Sequence, residues 1–179
     1  MAIEKLSPKA TYVELGYGQV EPNHLSAQVN GQIYAQLPLA KTVEVLENGM
    51  FAKYDYQNGV VNVGADIEGE WMLVYNTVKL YDEDEVECDY AMKNITANAK
   101  AAVVPASTDV VPRLFATKVG DIFTTNTIVA DTLAVGDELA PNAEGYLSAE
   151  GDTTAMKWVV VKVYTMPDGQ KGVKIMRVA

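Results

Sequence analysis

The sequence is poor in the residues that most often carry chemistry. It has one cysteine, Cys88, and one histidine, His24, in 179 residues. A lone cysteine excludes an intramolecular disulfide framework and any cysteine-clustered zinc or iron–sulfur site, because each needs several sulfur ligands. A lone histidine has no second imidazole with which to share a metal. His24 lies in the turn-like Glu21-Pro-Asn-His-Leu and reads as an ordinary surface histidine. Basic residues are also scarce, 14 Lys and Arg against 24 Asp and Glu, a formal charge of -10. They are scattered, so no cationic face exists to release counterions from phosphate, and nucleic acid is set aside as a partner. No uncharged apolar run approaches the roughly 20 residues that cross a bilayer, and Met1-Ala-Ile-Glu-Lys-Leu-Ser-Pro carries no signal-peptide core. The expectation is a protein assembled in a cytoplasm with no membrane partner.

What is present is the punctuation of a β protein. Asn30-Gly31, Asn48-Gly49, Asn58-Gly59 and Asp168-Gly169 supply the positive-φ pairs that tight turns require. Between them, residues 43–46, 50–56, 60–63, 70–80, 113–117, 121–129, 158–165 and 173–178 are rich in Val, Ile, Thr and aromatics and are predicted strands. Asp168-Gly169 predicts a hairpin between the last two. Neither face of 173–178 is wholly apolar, which predicts an edge or interface position. Asp89 could cap a short alanine-rich helix at 90–102. The fold class is mostly β: small barrel or sandwich units, two in number if the chain is duplicated, with at most one short helix and an extended N-terminal arm.

Prolines at 105 and 112 mark a boundary, giving a β-rich domain at 41–104 and a second at 113–179. Residues 1–40 mix Gln, Gly and Pro with scattered Tyr and Leu. They suit an extended arm lying on another surface, and equally a pair of edge strands on the chain's own sheet. On the arm reading, deleting 1–40 leaves a folded body that no longer attaches. An internal echo also runs through the chain: Leu46, Gly49, Trp71 and Val74 are matched at constant offset by Leu133, Gly136, Trp158 and Val161.

No constellation points to catalysis, a metal or a cofactor. Asp82-Glu-Asp-Glu-Val-Glu-Cys-Asp89 is the strongest charge run, yet an EF-hand loop begun at Asp82 needs Gly sixth and Glu twelfth, where the chain has Glu87 and Lys93. A solvated acidic loop is the better reading. The acidic neighbours of Cys88 suppress its thiolate. Gly16-Tyr-Gly18 lacks the third glycine and the βαβ setting of a nucleotide loop. Trp71 and Trp158 sit in apolar runs, as core residues do.

Three C-terminal stretches then carry a family likeness. They are Val119-Gly-Asp-Ile-Phe123, Leu133-Ala-Val-Gly-Asp-Glu-Leu-Ala-Pro-Asn-Ala-Glu-Gly-Tyr-Leu147, and the long run from Trp158 to Ile175. Together they resemble the small β-barrel of tailed-bacteriophage capsid decoration (head-stabilising, or cement) proteins. In that pattern a Val-Gly-Asp-x-Leu-x-Pro segment and a Gly-x-Leu pair precede a long strand. The matching positions are Val135, Gly136, Asp137, Leu139, Pro141, Gly145 and Leu147. The likeness covers about residues 117–179, and the chain before 115 exceeds a minimal decoration domain.

The resemblance implies a non-enzymatic structural virion protein on the capsid exterior, bridging major capsid proteins, with self-association in an oligomer as a further expectation. An N-terminal arm would serve such a protein by extending a neighbour's sheet. Its expected partner-binding residues are Tyr12, Leu15, Tyr17, Ile33, Tyr34 and Leu37, since aromatic and large apolar side chains anchor interfaces. The alternative function is a carbohydrate-binding or adhesion module, which predicts exposed Tyr or Trp in a shallow groove. A hydrolase predicts converging carboxylates with raised pKa values.

Overall fold

A computed structural model describes residues 18–43, 45–76, 111–130, 132–166 and 171–179. The acidic run 82–89, Cys88, the helix expected at 90–102, the Asp168-Gly169 turn and arm residues Tyr12, Leu15 and Tyr17 lie outside the described residues.

The chain forms β1 (Val20–His24), a short helix α1 (Ser26–Asn30), β2 (Ile33–Tyr34), β3 (Phe51–Asp55), β4 (Val60–Asn62), β5 (Met72–Val74) and β6 (Leu114–Phe115). It continues with β7 (Ile122–Thr125), β8 (Ile128–Val129), β9 (Glu138–Pro141), β10 (Leu147–Ser148), β11 (Trp158–Thr165) and β12 (Lys171–Arg177). A curled seven-stranded sheet has the order β1-β7-β12-β11-β9-β10-β8, and a five-stranded sheet the order β2-β6-β5-β3-β4. The mostly β expectation holds, in the form of two sheets packed over a first core, with a second core beside it.

Period-two alternation explains that core. In the five-stranded sheet, Phe51 faces Leu73, Leu73 faces Phe115, and Phe115 faces Ile33 across successive strands. This row enters the first core. The adjoining residues Ala52, Met72, Val74 and Leu114 point the other way, into a second core with Leu39, Leu46, Met50, Tyr54, Val61 and Tyr146. The seven-stranded sheet contributes Phe123, Val160, Ile175 and Trp158 to the first core. Three rings join the sheets: Phe51 lies 6.4 Å from Phe123 and 5.8 Å from Trp158, and Phe123 meets Trp158 edge-on at 5.0 Å. Buried aromatics of this size contribute on the order of 2–3 kcal/mol each through removal of apolar surface from water.

The boundary expected between 104 and 113 does not divide the chain into separately packed halves, because β6 pairs with both β2 and β5 while Phe115 belongs to the same core as Phe123 and Trp158. Residues 18–40 take the edge-strand form of the two read from the sequence. β1 pairs antiparallel with β7, β2 with β6, and Leu39 bridges Val61 beside β4. Leu25, Ala27 and Leu39 are buried. Deleting 1–40 therefore removes core rather than a detachable arm. β12 is not at an edge either: it lies between β7 and β11. Its Arg177, expected to weaken one face, is absorbed by hydrogen bonds to the carbonyl and hydroxyl of Thr117 and an ion pair with Glu70.

Candidate functional site

One turn design is built three times. In Lys118–Asp121, the Asp121 N–H donates to the Lys118 carbonyl at 3.0 Å and the Lys118 N–H donates to Asp121 Oδ2 at 2.9 Å. In Ala134–Asp137 the corresponding distances are 3.2 and 2.7 Å. In Glu47–Met50 they are 3.2 and 3.3 Å, with the Met50 sulfur taking the place of the carboxylate. Each turn needs glycine at its third position, where φ is +95° at Gly120, +98° at Gly136 and +92° at Gly49. Each glycine N–H then donates to a strand carbonyl, of Arg177, Val160 and Val74 respectively.

The first two copies are related by symmetry within the sheet. Ile122 pairs with Met176, Met176 with Val159, and Val159 with Glu138, giving one continuous row over β7, β12, β11 and β9. Arg177 and Val160, each one residue beyond the central pair, both exchange hydrogen bonds with their turn. A local two-fold axis thus passes between Val159 and Met176. The constant-offset echo is half preserved: Gly49 and Gly136 are equivalent, but their partners Val74 and Val160 are 86 rather than 87 positions apart. Trp71 accordingly falls just before β5, whereas Trp158 opens β11.

The tips of these turns differ in a way the fold does not require. Val119 and Val135 are each 67% exposed, while Asn48, their counterpart, is 3% exposed. Asn48 is locked by Asn76, whose N–H donates to its Oδ1 at 2.7 Å, and by Thr127, whose hydroxyl donates to its carbonyl at 2.7 Å. Of the motif residues that carry the family likeness, Leu139, Pro141, Gly145 and Leu147 are buried, Gly136 and Asp137 make the turn, and only Val135 has no role in packing. The buried Asp121 also ties the turn to α1, accepting from the Ser26 N–H at 2.8 Å and the Ser26 hydroxyl at 2.9 Å.

Of the expected arm residues, Ile33, Tyr34 and Leu37 are described, and each is half-buried. Ile33 packs against the first core, and Tyr34 and Leu37 against the second. His24 is exposed at the end of β1.

A second feature lies beside β3 and β4. Tyr54, Asp55, Tyr56, Gln57, Asn58, Asp66, Ile67, Glu68 and Gly69 line a groove of about 560 Å³ between the β3–β4 turn and the loop 64–69. Successive residues of β3 set its two walls. Lys53 is buried and sends its ammonium to the Ile67 carbonyl at 2.7 Å and over the Trp71 ring at 4.5 Å, which holds the loop. Burial lowers the Lys53 pKa, offset by the charge of Asp66. Tyr54 points oppositely, edge-on to both Tyr34 and Tyr56 at 5.6 Å, with its hydroxyl 3.2 Å from the Gln36 amide oxygen. Tyr56 ends this ladder at 75% exposure. Both oxygens of Asp55 accept from Asn58, at 3.0 and 2.7 Å, and these bonds hold its pKa below the usual carboxylate range. An Asp held ionised in this way is an acceptor and not a general acid.

Among the described residues no three His, Cys, Asp or Glu side chains are grouped to hold a metal ion, and no helix is long and apolar enough to cross a membrane. Comparison of the chain with protein-family models, curated proteins and solved structures finds no match.

Proposed function

We propose that the protein is a structural virion component that binds the outer surface of an assembled phage capsid and stabilises it by bridging major capsid proteins. The observation that carries this reading is the pair of equivalent turns in the seven-stranded sheet that present Val119 and Val135 to solvent. An apolar side chain at a turn tip adds nothing to the core, and two of them held on one rigid sheet can dock into two recesses of a partner surface. These tips take the anchoring role first assigned to Ile33, Tyr34 and Leu37, which face the protein's own cores. The family likeness of residues 117–179 supplies the partner, and the acidic balance supplies solubility at high copy number.

The test is co-sedimentation of the purified protein with phage heads that lack it, scored by stoichiometry and by survival of the heads on heating. The expected result is saturable binding at many copies per head and greater survival, both lost in a folded Val119→Asp/Val135→Asp variant. Absence of binding by the folded wild-type chain would refute the assignment.

A further inference from the structure

We infer that the groove between the β3–β4 turn and the loop 64–69 is a saccharide site that takes neutral or amino-bearing sugars and rejects anionic ones. The inference is independent of capsid attachment, since the groove shares no residue with the Val119 and Val135 tips.

The volume, about 560 Å³, falls within the range of roughly 300–1,000 Å³ typical of small-molecule sites. Sugar recognition needs an aromatic face for the C–H surface of the ring and polar groups in its plane for the hydroxyls. Tyr56 supplies the face. At 75% exposure its ring is far more open than a folding role requires, yet its orientation is set by the edge-on contact with the buried Tyr54. A fixed aromatic loses little conformational freedom when a ligand stacks on it. Around it stand the amides of Gln57 and Asn58 and the carboxylates of Asp55, Asp66 and Glu68. The opposite wall is equally fixed, because the Lys53 ammonium grips the Ile67 carbonyl from beneath.

Charge sets the class of sugar. Three carboxylates and no basic side chain line the groove, so a uronate or sialate would meet repulsion, whereas hydroxyl and amino groups would find acceptors. A basic peptide is the competing occupant. It is disfavoured because a guanidinium pairs best with both oxygens of one carboxylate, and both Asp55 oxygens are already engaged by Asn58.

The experiment titrates the full chain, by saturation-transfer NMR and calorimetry, with hexasaccharides of glucose, mannose, N-acetylglucosamine and glucosamine. A galacturonate hexamer and a hexa-arginine peptide are run beside them. At least one of the first four is expected to saturate a single site, with no response to galacturonate. Tyr56→Ala should weaken that binding about tenfold and Tyr56→Phe should leave it within about threefold, while both variants attach to heads as the wild type does. Failure of all four sugars, binding that Tyr56→Ala leaves unchanged, saturation by galacturonate, or binding of the arginine peptide alone would each overturn the inference.

Discussion

Alkaline conditions should weaken the second core through one hydroxyl. Tyr146 is 6% exposed and donates to Glu47 Oε1 at 3.0 Å, joining the turn 47–50 to the segment before β10. Burial, with a smaller contribution from the charge of Glu144, pushes its pKa up from 10.0 to about 12. The unfolded chain releases this proton near pH 10 and the folded chain keeps it to about pH 12. Between those values the unfolded state binds fewer protons, so stability falls as pH rises. The contribution is fully present below pH 10. A gap of about two units at about 1.4 kcal/mol per unit gives a loss of about 3 kcal/mol across the window. The assay is urea unfolding followed by tryptophan fluorescence from about pH 8 to about pH 11.5, on the wild type and on Tyr146→Phe. At neutral pH the variant should be less stable by about 1–3 kcal/mol, because the buried Glu47 side chain loses a hydrogen bond. That deficit should then shrink as the wild type alone pays for ionising Tyr146. Tyr164, whose pKa burial also raises, titrates in both proteins and cancels in the difference. Stability curves that stay parallel from pH 9 to pH 11.5 would refute the reasoning.

The remaining predictions concern the turns. An alanine Cβ at Gly49 would lie 2.5 Å from the Thr125 hydroxyl and 2.7 Å from the Thr127 Cβ, whereas at Gly136 it meets nothing within 4 Å. Both positions carry the strain of positive φ, so Gly136→Ala should cost about 1–2 kcal/mol and Gly49→Ala distinctly more, measured by denaturant unfolding; equal costs would contradict the packing described. Asp121→Ala removes the acceptor shared by the Ser26 N–H, the Ser26 hydroxyl and the Lys118 N–H, at a cost of about 3 kcal/mol. Amide exchange should accelerate first in residues 20–31, and uniform acceleration across the sheet would show that Asp121 does more than tether α1.

Much of the strand content was legible because β-branched and aromatic runs were long enough to stand out. β11 runs over Trp158–Thr165 as expected, and β3, β4, β6 and β7 fall inside their expected stretches. The run 43–46 looked like a strand because buried loop and buried strand share apolar composition; Leu46 is buried without belonging to one. β2 and β10, two residues each, fall outside the expected stretches because no surrounding β-rich run marks them. β1 was obscured by Pro22 and by three exposed positions, which an edge strand tolerates. Asn30-Gly31 signalled a hairpin and instead ends α1, with Gly31 at φ +67° in the left-handed cap. The joining of the two expected domains could not be read from sequence, since the prolines at 105 and 112 suggest a boundary and only the pairing of β6 with β2 and β5 places strands from both sides in one sheet. The groove was hidden for a similar reason: Tyr56 and Glu68 come together because Lys53, a residue with an expected surface character, is buried beneath the loop.

The position of β12 bears on how the chain can be made. β12 joins the β1–β7 pair to β11 and the strands beyond it, yet it is the last of the sheet's strands to leave the ribosome. Until it emerges, β7 and β11 each present an open edge, and the row Phe123–Ile175–Val160 lacks its middle member. Synthesis at about 5–20 residues per second leaves those edges uncovered for several seconds after β7 appears. A nascent chain is then exposed to strand exchange with its neighbours on a polysome. Slower release would lengthen that interval, and a chain shortened within β12 would never close the sheet.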